Sequence, residues 1–206
     1  MTPDALRALF AATELPEDPL DVMMPPGLGR WPHKMRELLA GPLRPAGVLV
    51  PLMQRAEGLT ILLTQRAAHL KLHAAQASFP GGRMEAHDTD VRATALRETH
   101  EEVGIEPGHV DVIGYLDPMP TITGFAVTPV VGLVGDGAEV VVDRTEVDYT
   151  FELPLEFLLD EGNDRLAERE WEGSRFHLKE FHYDGERVWG ATAYMLQAFR
   201  KFIVNK

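Results

Sequence analysis

The chain has 206 residues, and its 20 Lys and Arg against 32 Asp and Glu give a formal net charge of −12. This length fits one domain with a sizeable core, and the acidity argues against a nucleic-acid partner, which needs clustered cationic side chains. Because the chain has no cysteine, disulfides, thiolate nucleophiles and cysteine-bound metals are excluded, and any metal must bind to oxygen or imidazole.

Residues 1–45 alternate two short helical patterns, at 5–13 and 34–40, with turns rich in proline. We interpret them as an N-terminal arm of the domain that occupies residues 46–206. The chain starts without the basic residues and long apolar centre of a secretory signal. No stretch reaches the roughly 18 apolar residues that a membrane-spanning helix needs. We therefore expect a cytoplasmic protein without a membrane partner.

From residue 46 onward, short runs of Val, Ile and Leu bounded by Gly and Pro predict β-strands. The strands at 47–53 and 59–65 are separated by a gap that suits a hairpin. The remaining predicted elements are strands at 110–117, 125–134 and 147–153 and a final helix at 191–203. Between the two groups of strands lies one central helix. This order predicts an α/β sandwich rather than a doubly wound parallel sheet.

The central helix is predicted from about residue 90 to residue 103, since this segment has helix-forming residues and no internal Gly or Pro. Asp88 or Thr89 is its expected N-terminal cap, and Gly104 ends it. With an advance of about 100° per residue, one face of this helix carries three glutamates. They are Glu98, Glu101 and Glu102. Three less polar residues share another face and are expected to pack on the sheet: Leu96, Thr99 and Val103.

The three glutamates predict a metal site. A solvated acidic face is the ordinary explanation for such a cluster. However, like charges this close raise one another's pKa and cost stability unless a cation neutralises them. Mg²⁺ or Mn²⁺, which prefer carboxylate oxygens, are the expected cations.

The glutamates belong to a longer motif, GGRMEAHDTDVRATALRETHEEVGI at residues 81–105. It resembles the signature of the Nudix family, which is a Gly, a loop, an acidic residue, a spacer and then Arg-Glu-aliphatic-x-Glu-Glu-x-Gly-aliphatic. Thr99 occupies an aliphatic position of this signature, and one extra residue separates the acidic Asp88 from Arg97. We expect the extra residue in the loop, because an insertion within the helix would rotate the carboxylates apart.

The segment before this motif, LLTQRAAHLKLHAAQASFPGG at residues 62–82, resembles the coenzyme A pyrophosphatase branch of the Nudix family. Lys71 stands where the branch has Arg, and Ala75 stands where it has Gly. The similarity continues through segments at 123–132, 146–159 and 188–193. It covers most of residues 46–203 and little of the arm.

The resemblance implies a Nudix-type α/β/α sandwich with a mixed sheet and a central catalytic helix. It also implies hydrolysis of a diphosphate by a metal-activated water, with Mg²⁺ or Mn²⁺ held by Glu98, Glu101 and Glu102. Arg97 is then expected to hold one of the signature's carboxylates in place, and a surface ion pair is the alternative. Glu146 is a candidate general base or further metal ligand, and an ordinary exposed glutamate at a strand start is the alternative.

Five residues are expected to contact the substrate: Arg66, Lys71, His73, Gly81 and Gly82. The three cationic residues are candidates for the extra phosphate that distinguishes coenzyme A from most nucleotides, with a solvated surface as the alternative. The two glycines fit a loop that turns sharply or approaches phosphate closely, with a plain turn as the alternative. The carbonyl of Gly81 is a candidate fourth metal ligand.

The leading hypothesis is cleavage of coenzyme A or its derivatives into phosphopantetheine and adenosine 3′,5′-bisphosphate. A first alternative is the same chemistry on ADP-ribose, a dinucleotide or another nucleoside diphosphate derivative. A second is a Nudix-fold module that senses a nucleotide without cleaving it, and the three intact glutamates argue against it. The expected partner is a small-molecule diphosphate, and the sequence leaves a homodimer open.

Overall fold

The computed structural model describes residues 1–25, 27–69 and 75–205, and it confirms the predicted α/β class. The helices in this part of the chain are α1 (Pro3–Phe10), α2 (His33–Leu39), α3 (Val91–Val103), α4 (Leu155–Leu159) and α5 (Gly190–Val204). The strands in the same ranges are β1 (Arg44–Arg55), β2 (Gly58–Arg66), β3 (Ala77–Ser78), β4 (Gly81–Arg83), β5 (Val110–Tyr115), β6 (Met119–Pro120), β7 (Phe125–Val134), β8 (Val147–Pro154), β9 (Asp164–Trp171), β10 (Ser174–Tyr183) and β11 (Glu186–Val188). Within the described ranges no helix has the length and apolar character needed to cross a membrane.

The larger sheet is mixed and has β1 near its centre. On one side β1 pairs in parallel with β7, and on the other it forms with β2 the hairpin predicted from the sequence. The second half of β1 pairs with β2, and its first half pairs with β4. In this pairing Gly82 lies opposite Gly47. The end of β2 pairs with the start of β8 and with β3. As a result β3, β4, the end of β2 and the start of β8 gather at one edge.

One face of this sheet packs on α3 at very short range. A Cβ on Gly47 would lie 2.1 Å from the carbonyl oxygen of Val91, so a larger residue would push the helix away. Leu49 of β1 and Ala95 of α3 are both fully buried in the layer between them. The approach of α3 therefore depends on small residues on both elements.

The opposite face carries the main core, to which the N-terminal segment contributes. Leu6 and Phe10 of α1 are fully buried, and the Phe10 ring stacks on Phe199 and Phe202 of α5 at centroid distances of 5.8 and 4.4 Å. α1 begins at Pro3, earlier than predicted, because Thr2 caps its first turn. β1 also begins at Arg44, within the segment that we interpret as the arm.

A second sheet forms where the sequence led us to expect no strands. β9, β10 and β11 are antiparallel neighbours, and the β10–β11 turn at Asp184–Gly185 has φ of 48° and 83°. Two successive positive φ angles are typical of a type I′ hairpin turn, for which Asp-Gly is a strong sequence signal. That dipeptide was the available signal for this hairpin.

Candidate active site

Local interactions fix the two ends of α3. The side chain of Asp90 accepts a hydrogen bond from the Ala93 N–H at 2.8 Å and caps the first turn. The predicted cap at Asp88 or Thr89 is therefore wrong by one or two residues. The carboxylate of Asp88 instead accepts hydrogen bonds from Arg97. Gly104, with φ of 73°, ends the helix as predicted, because its left-handed conformation suits glycine.

α3 turns its less polar face to the sheet, as predicted. Thr99 and Val103 are fully buried there. The hydroxyl of Thr99 donates to the carbonyl oxygen of Ala95 at 2.6 Å, which satisfies its polar group within the helix. A threonine can therefore stand in a position where the family signature has an aliphatic residue.

The three glutamates of the signature lie close together on α3 but differ in exposure. The exposed fraction of the side chain is 57% for Glu101, 16% for Glu98 and 3% for Glu102. One face of the helix thus offers carboxylates from solvent down to the sheet. Such a gradient of exposure is suited to binding of a cation by the two more buried carboxylates, Glu98 and Glu102.

Gly81 and Gly82 bring the backbone of β4 against these glutamates. The Gly81 N–H donates to Oε2 of Glu102 at 3.1 Å. A Cβ on Gly82 would lie 2.5 Å from the carboxyl carbon of Glu98. A Cβ on Gly81, whose φ is 149°, would lie 2.5 Å from the carbonyl oxygen of Gly47. Close approach, and not only a turn, therefore accounts for both glycines.

Arg97 connects the loop to the glutamates. Its Nη1 donates to Oε1 of Glu98 at 2.8 Å and to Oε2 of Glu101 at 3.0 Å. Its Nε and Nη2 donate to Asp88, the acidic position of the signature, for which the sequence predicts a capping role and no contact with Arg97. The hydrogen bonds from Arg97 hold the pKa of Asp88 well below its usual range.

Arg66 and Glu146 also lie at this edge of the sheet. Nη1 of Arg66 is 3.5 Å from Oε1 of Glu102. The carbonyl oxygen of Glu146 accepts a hydrogen bond from the Ala67 N–H at 2.9 Å. The carboxylate of Glu146 is close enough to contribute to raising the pKa of Glu98 and of Glu102. The predicted substrate contacts Lys71 and His73 lie outside the described residues.

Burial dominates the electrostatics of the glutamates. It raises the pKa of Glu102 to about 8, although the Gly81 N–H and the Arg66 guanidinium favour the charged form. It also raises the pKa of Glu98, against the opposing effect of Arg97. A divalent cation beside these oxygens would favour their ionised forms. The charge balance of the site is therefore suited to a cation.

The donor set fits a divalent metal ion, since it consists of hard carboxylate oxygens. Among residues 1–25, 27–69 and 75–205, no three His, Asp or Glu side chains converge closely enough to hold an ion in their present rotamers. Glu98 and Glu101 are turned toward Arg97, and Glu102 is turned toward Gly81. Each of these contacts uses one carboxylate oxygen, so metal binding would require the three side chains to turn their other oxygens toward the ion.

The mixed sheet, the acidic helix and the glycine loop define a Nudix hydrolase. A family model described as the NUDIX domain matches residues 43–195, and the chain belongs to this family. Nudix hydrolases cleave pyrophosphate bonds of small-molecule diphosphates and generally use divalent metal ions.

Curated relatives and solved structures agree with this assignment. The chain is 41% identical over 154 residues to the uncharacterized Nudix hydrolase NudL of Salmonella paratyphi B, covering 75% of this chain and 80% of the relative. The Nudix hydrolase RenU of M. smegmatis has a TM-score of 0.54 at 17% identity, over 80% of this chain and 88% of that one. A MutT protein of Methanosarcina mazei has a TM-score of 0.51 at 21% identity, over 81% of this chain and 97% of that one. These two structures support the fold alone.

Proposed function

We propose that this Nudix hydrolase cleaves the diphosphate of coenzyme A or its derivatives, with Mg²⁺ or Mn²⁺, into phosphopantetheine and adenosine 3′,5′-bisphosphate. The observation that carries the proposal is the contact between Arg66 and Glu102. Arg66 belongs to the segment at 62–82 that resembles the coenzyme A branch, and its guanidinium lies 3.5 Å from the innermost glutamate. The segment that resembles this branch therefore contributes Arg66 to what we call the acidic site, which consists of Gly81, Gly82, Glu98, Glu101 and Glu102.

Pairing within the segment supports this role. The Arg66 N–H donates to the carbonyl oxygen of Gln76 at 3.0 Å, and Thr64 lies opposite Ser78 across β2 and β3. Arg66 and Gln76 thus lie together at the edge of the acidic site. A substrate whose diphosphate lies at Glu102 would have its neighbouring groups near this pair of residues.

In the proposed mechanism Glu98, Glu101 and Glu102 would hold the metal, and the chemistry supplied by a bound metal would be activation of a water molecule and neutralisation of phosphoryl oxygens. Arg97 holds Glu98 and Glu101 in orientation. The Gly81 N–H fixes one oxygen of Glu102.

Arg66 is suited to the diphosphate itself. With Glu102 directed at a metal ion, the Arg66 guanidinium would be available to donate to phosphoryl oxygens, for which its planar fork is suited. Glu146, the residue immediately before β8, is the proposed general base. Lys71 and His73 remain the residues that the sequence proposes for the extra phosphate of coenzyme A.

A substrate panel tests the proposal. Hydrolysis of coenzyme A, an acyl derivative, 3′-dephospho-coenzyme A, ADP-ribose and a dinucleoside polyphosphate should be measured with Mg²⁺, with Mn²⁺ and with EDTA. We expect the highest kcat/KM for coenzyme A or its acyl derivative and no turnover in EDTA. Faster cleavage of ADP-ribose or of the dinucleotide would replace the proposal by its alternative.

A further inference from the structure

The chain between β7 and β8 crosses the C-terminal end of α3. The Val141 N–H donates to the carbonyl oxygen of Val103 at 2.9 Å. The Asp143 N–H donates to the carbonyl oxygen of Glu102, also at 2.9 Å. Because the last carbonyl groups of an α-helix have no partner within the helix, these two bonds join the crossing segment to the end of α3. We call residues 141–146 the strap.

Apolar packing also holds the strap on α3. Val142 is partly buried and packs in the apolar cluster that contains Val103 and Ile105. Asp143, the next residue, is exposed, and its carboxylate takes no part in this packing. A variant without that carboxylate is therefore expected to fold and to keep the strap on the helix.

Asp143 organises the turn that leads to Glu146. Its Oδ1 accepts hydrogen bonds from the N–H and from the hydroxyl of Thr145, both at 2.8 Å. Its carbonyl oxygen accepts from the N–H groups of Glu146 at 3.1 Å and of Val147 at 2.9 Å. Aspartate is favoured in turns because its side chain can bind the main chain two residues further on. Asp143 therefore supplies the acceptors for three successive N–H groups, those of residues 145–147.

The other side of this turn is held by the end of β2 and the residues after it. The Ala67 N–H donates to the carbonyl oxygen of Glu146 at 2.9 Å, and Nε2 of His69 donates to that of Thr145 at 3.1 Å. The N–H and the carbonyl oxygen of Glu146 are thus both hydrogen-bonded. The Glu146 carboxylate is close enough to two glutamates of the acidic site to contribute to raising their pKa.

The position of a general base has strict limits. The base must lie within about 2.6–3.2 Å of the water that it deprotonates. A misplacement of about 1 Å can lower the rate about 100-fold. Because Glu146 is exposed, its position depends on the main-chain bonds of the turn more than on packing of its side chain.

We propose that Asp143 is a positioning residue, whose carboxylate and carbonyl oxygen hold Glu146 at the acidic site. This inference rests on the proposed function, in which Glu146 is the general base. The proposed metal ligands are Glu98, Glu101 and Glu102. Loss of the Asp143 carboxylate should therefore lower kcat without changing KM or the activation by Mn²⁺.

Steady-state kinetics on the compound that the wild type cleaves fastest test the inference. We expect Asp143→Ala to lower kcat about 10-fold, with KM and the Mn²⁺ concentration for half-maximal activity unchanged. Asp143→Asn keeps a side-chain oxygen that can accept from Thr145, so it should restore most of the lost kcat. Asp136→Ala is the matched control, since Asp136 is an exposed aspartate in the same connection between β7 and β8.

Amide hydrogen exchange in EDTA gives a readout without turnover. In Asp143→Ala the N–H groups of Thr145 and Glu146 should exchange about 5-fold faster, because a hydrogen bond of the turn is lost. In Asp143→Asn and Asp136→Ala they should exchange at the wild-type rate. Thermal unfolding is measured for every variant. If Asp143→Ala does not fold, Thr145→Val removes the hydroxyl donor alone and should lower kcat about 3-fold.

A double-mutant cycle identifies the residue through which Asp143 acts. In the Glu146→Gln background, Asp143→Ala should lower kcat no further, because the group that it positions is already lost. Independent losses that multiply would overturn the inference, as would unchanged kcat and exchange in folded Asp143→Ala. A higher KM at the wild-type kcat would also overturn it, by placing Asp143 in substrate binding.

The outcomes separate the inference from the proposed function. A wild-type rate in Glu146→Gln would overturn the inference together with the assignment of the general base, and coenzyme A would remain the proposed substrate. Failure to cleave coenzyme A would overturn the proposed substrate alone, because the variants are compared on whichever compound the wild type cleaves fastest.

Discussion

The guanidinium of Arg97 donates from Nε and Nη2 to the two carboxylate oxygens of Asp88, each at 2.9 Å. This double contact fixes the plane of the guanidinium, because both nitrogens are held at once. The remaining nitrogen, Nη1, is therefore directed at Glu98 and Glu101, at 2.8 and 3.0 Å. A loop carboxylate thus determines the orientation of two proposed metal ligands on α3.

Glu102→Gln is expected to remove most hydrolytic activity and to leave the fold intact. The substitution keeps the size of a buried side chain and removes a carboxyl group whose charged form is disfavoured by burial. We expect kcat/KM to fall by about 100-fold or more at saturating Mn²⁺. Enzyme kinetics and thermal unfolding measure the two effects. Glu106→Gln, which changes an exposed glutamate just beyond α3, is the control. A variant with the wild-type rate would remove Glu102 from the metal site.

Gly82→Ala should disturb the acidic site through sterics alone. The added Cβ would lie 2.5 Å from the carboxyl carbon of Glu98 and would force that side chain to move. We expect metal affinity and kcat/KM to fall about 10-fold or more. Gly108→Ala is the control, because a Cβ at Gly108 meets no atom within 4 Å. Mn²⁺ titration of both variants measures the effect, and equal affinities would show that Glu98 does not bind the metal from this position.

A divalent metal is expected to stabilise the folded protein. Binding to the folded state alone contributes about 2.7 kcal/mol at 100 times the dissociation constant. A bound cation would also favour the ionised forms of Glu98 and Glu102, which burial disfavours. Thermal unfolding in EDTA and then in excess Mn²⁺ measures the shift, which should be much smaller in Glu98→Gln and Glu102→Gln. Identical midpoints in the wild type would mean that the three glutamates do not form a metal site.

The elements that could be predicted are those whose signal is local. The sequence predicts β7 at 125–134, and the strand spans Phe125–Val134, because an almost wholly buried strand is mostly apolar, here with interruptions at Thr128 and Pro129. α3 begins at Val91, close to the expected residue 90. β9, in contrast, is largely polar and partly exposed, and it exists through pairing with β10. Its hydrophobic pattern therefore carries no strand signal.

The same distinction applies to the acidic site. The common face of the three glutamates follows from helical geometry within one segment, so it could be predicted. The approach of Arg66 to Glu102 depends on the pairing of β2 with its neighbours, and the approach of Gly82 to Glu98 depends on the pairing of β4 with β1. Contacts that join separate segments could be suggested only by the family resemblance.

Asp88→Asn should reduce both stability and activity, because Asp88 orients Arg97. The side chain of Asp88 is only 3% exposed, and it accepts further hydrogen bonds from the Thr94 hydroxyl at 3.0 Å and the Glu85 N–H at 2.8 Å. Breaking one side of such a buried ion pair costs about 3 kcal/mol, and we expect a loss of that size at neutral pH in urea unfolding. The misplaced guanidinium should also lower kcat/KM about 10-fold, while Asp117→Asn, at an exposed site, should change neither.

The pH dependence of this variant gives an independent check. The hydrogen bonds from Arg97 depress the pKa of Asp88 in the folded state. Its stabilising effect is therefore fully present above the pKa of an unfolded aspartate, about 3.9, and is lost as the pH falls through the lower folded value. The difference in unfolding free energy between the wild type and Asp88→Asn should be constant from about pH 7 to pH 5 and should shrink below about pH 4. A difference that stays constant on acidification would show that Asp88 acts through packing, and that its charge does not hold Arg97.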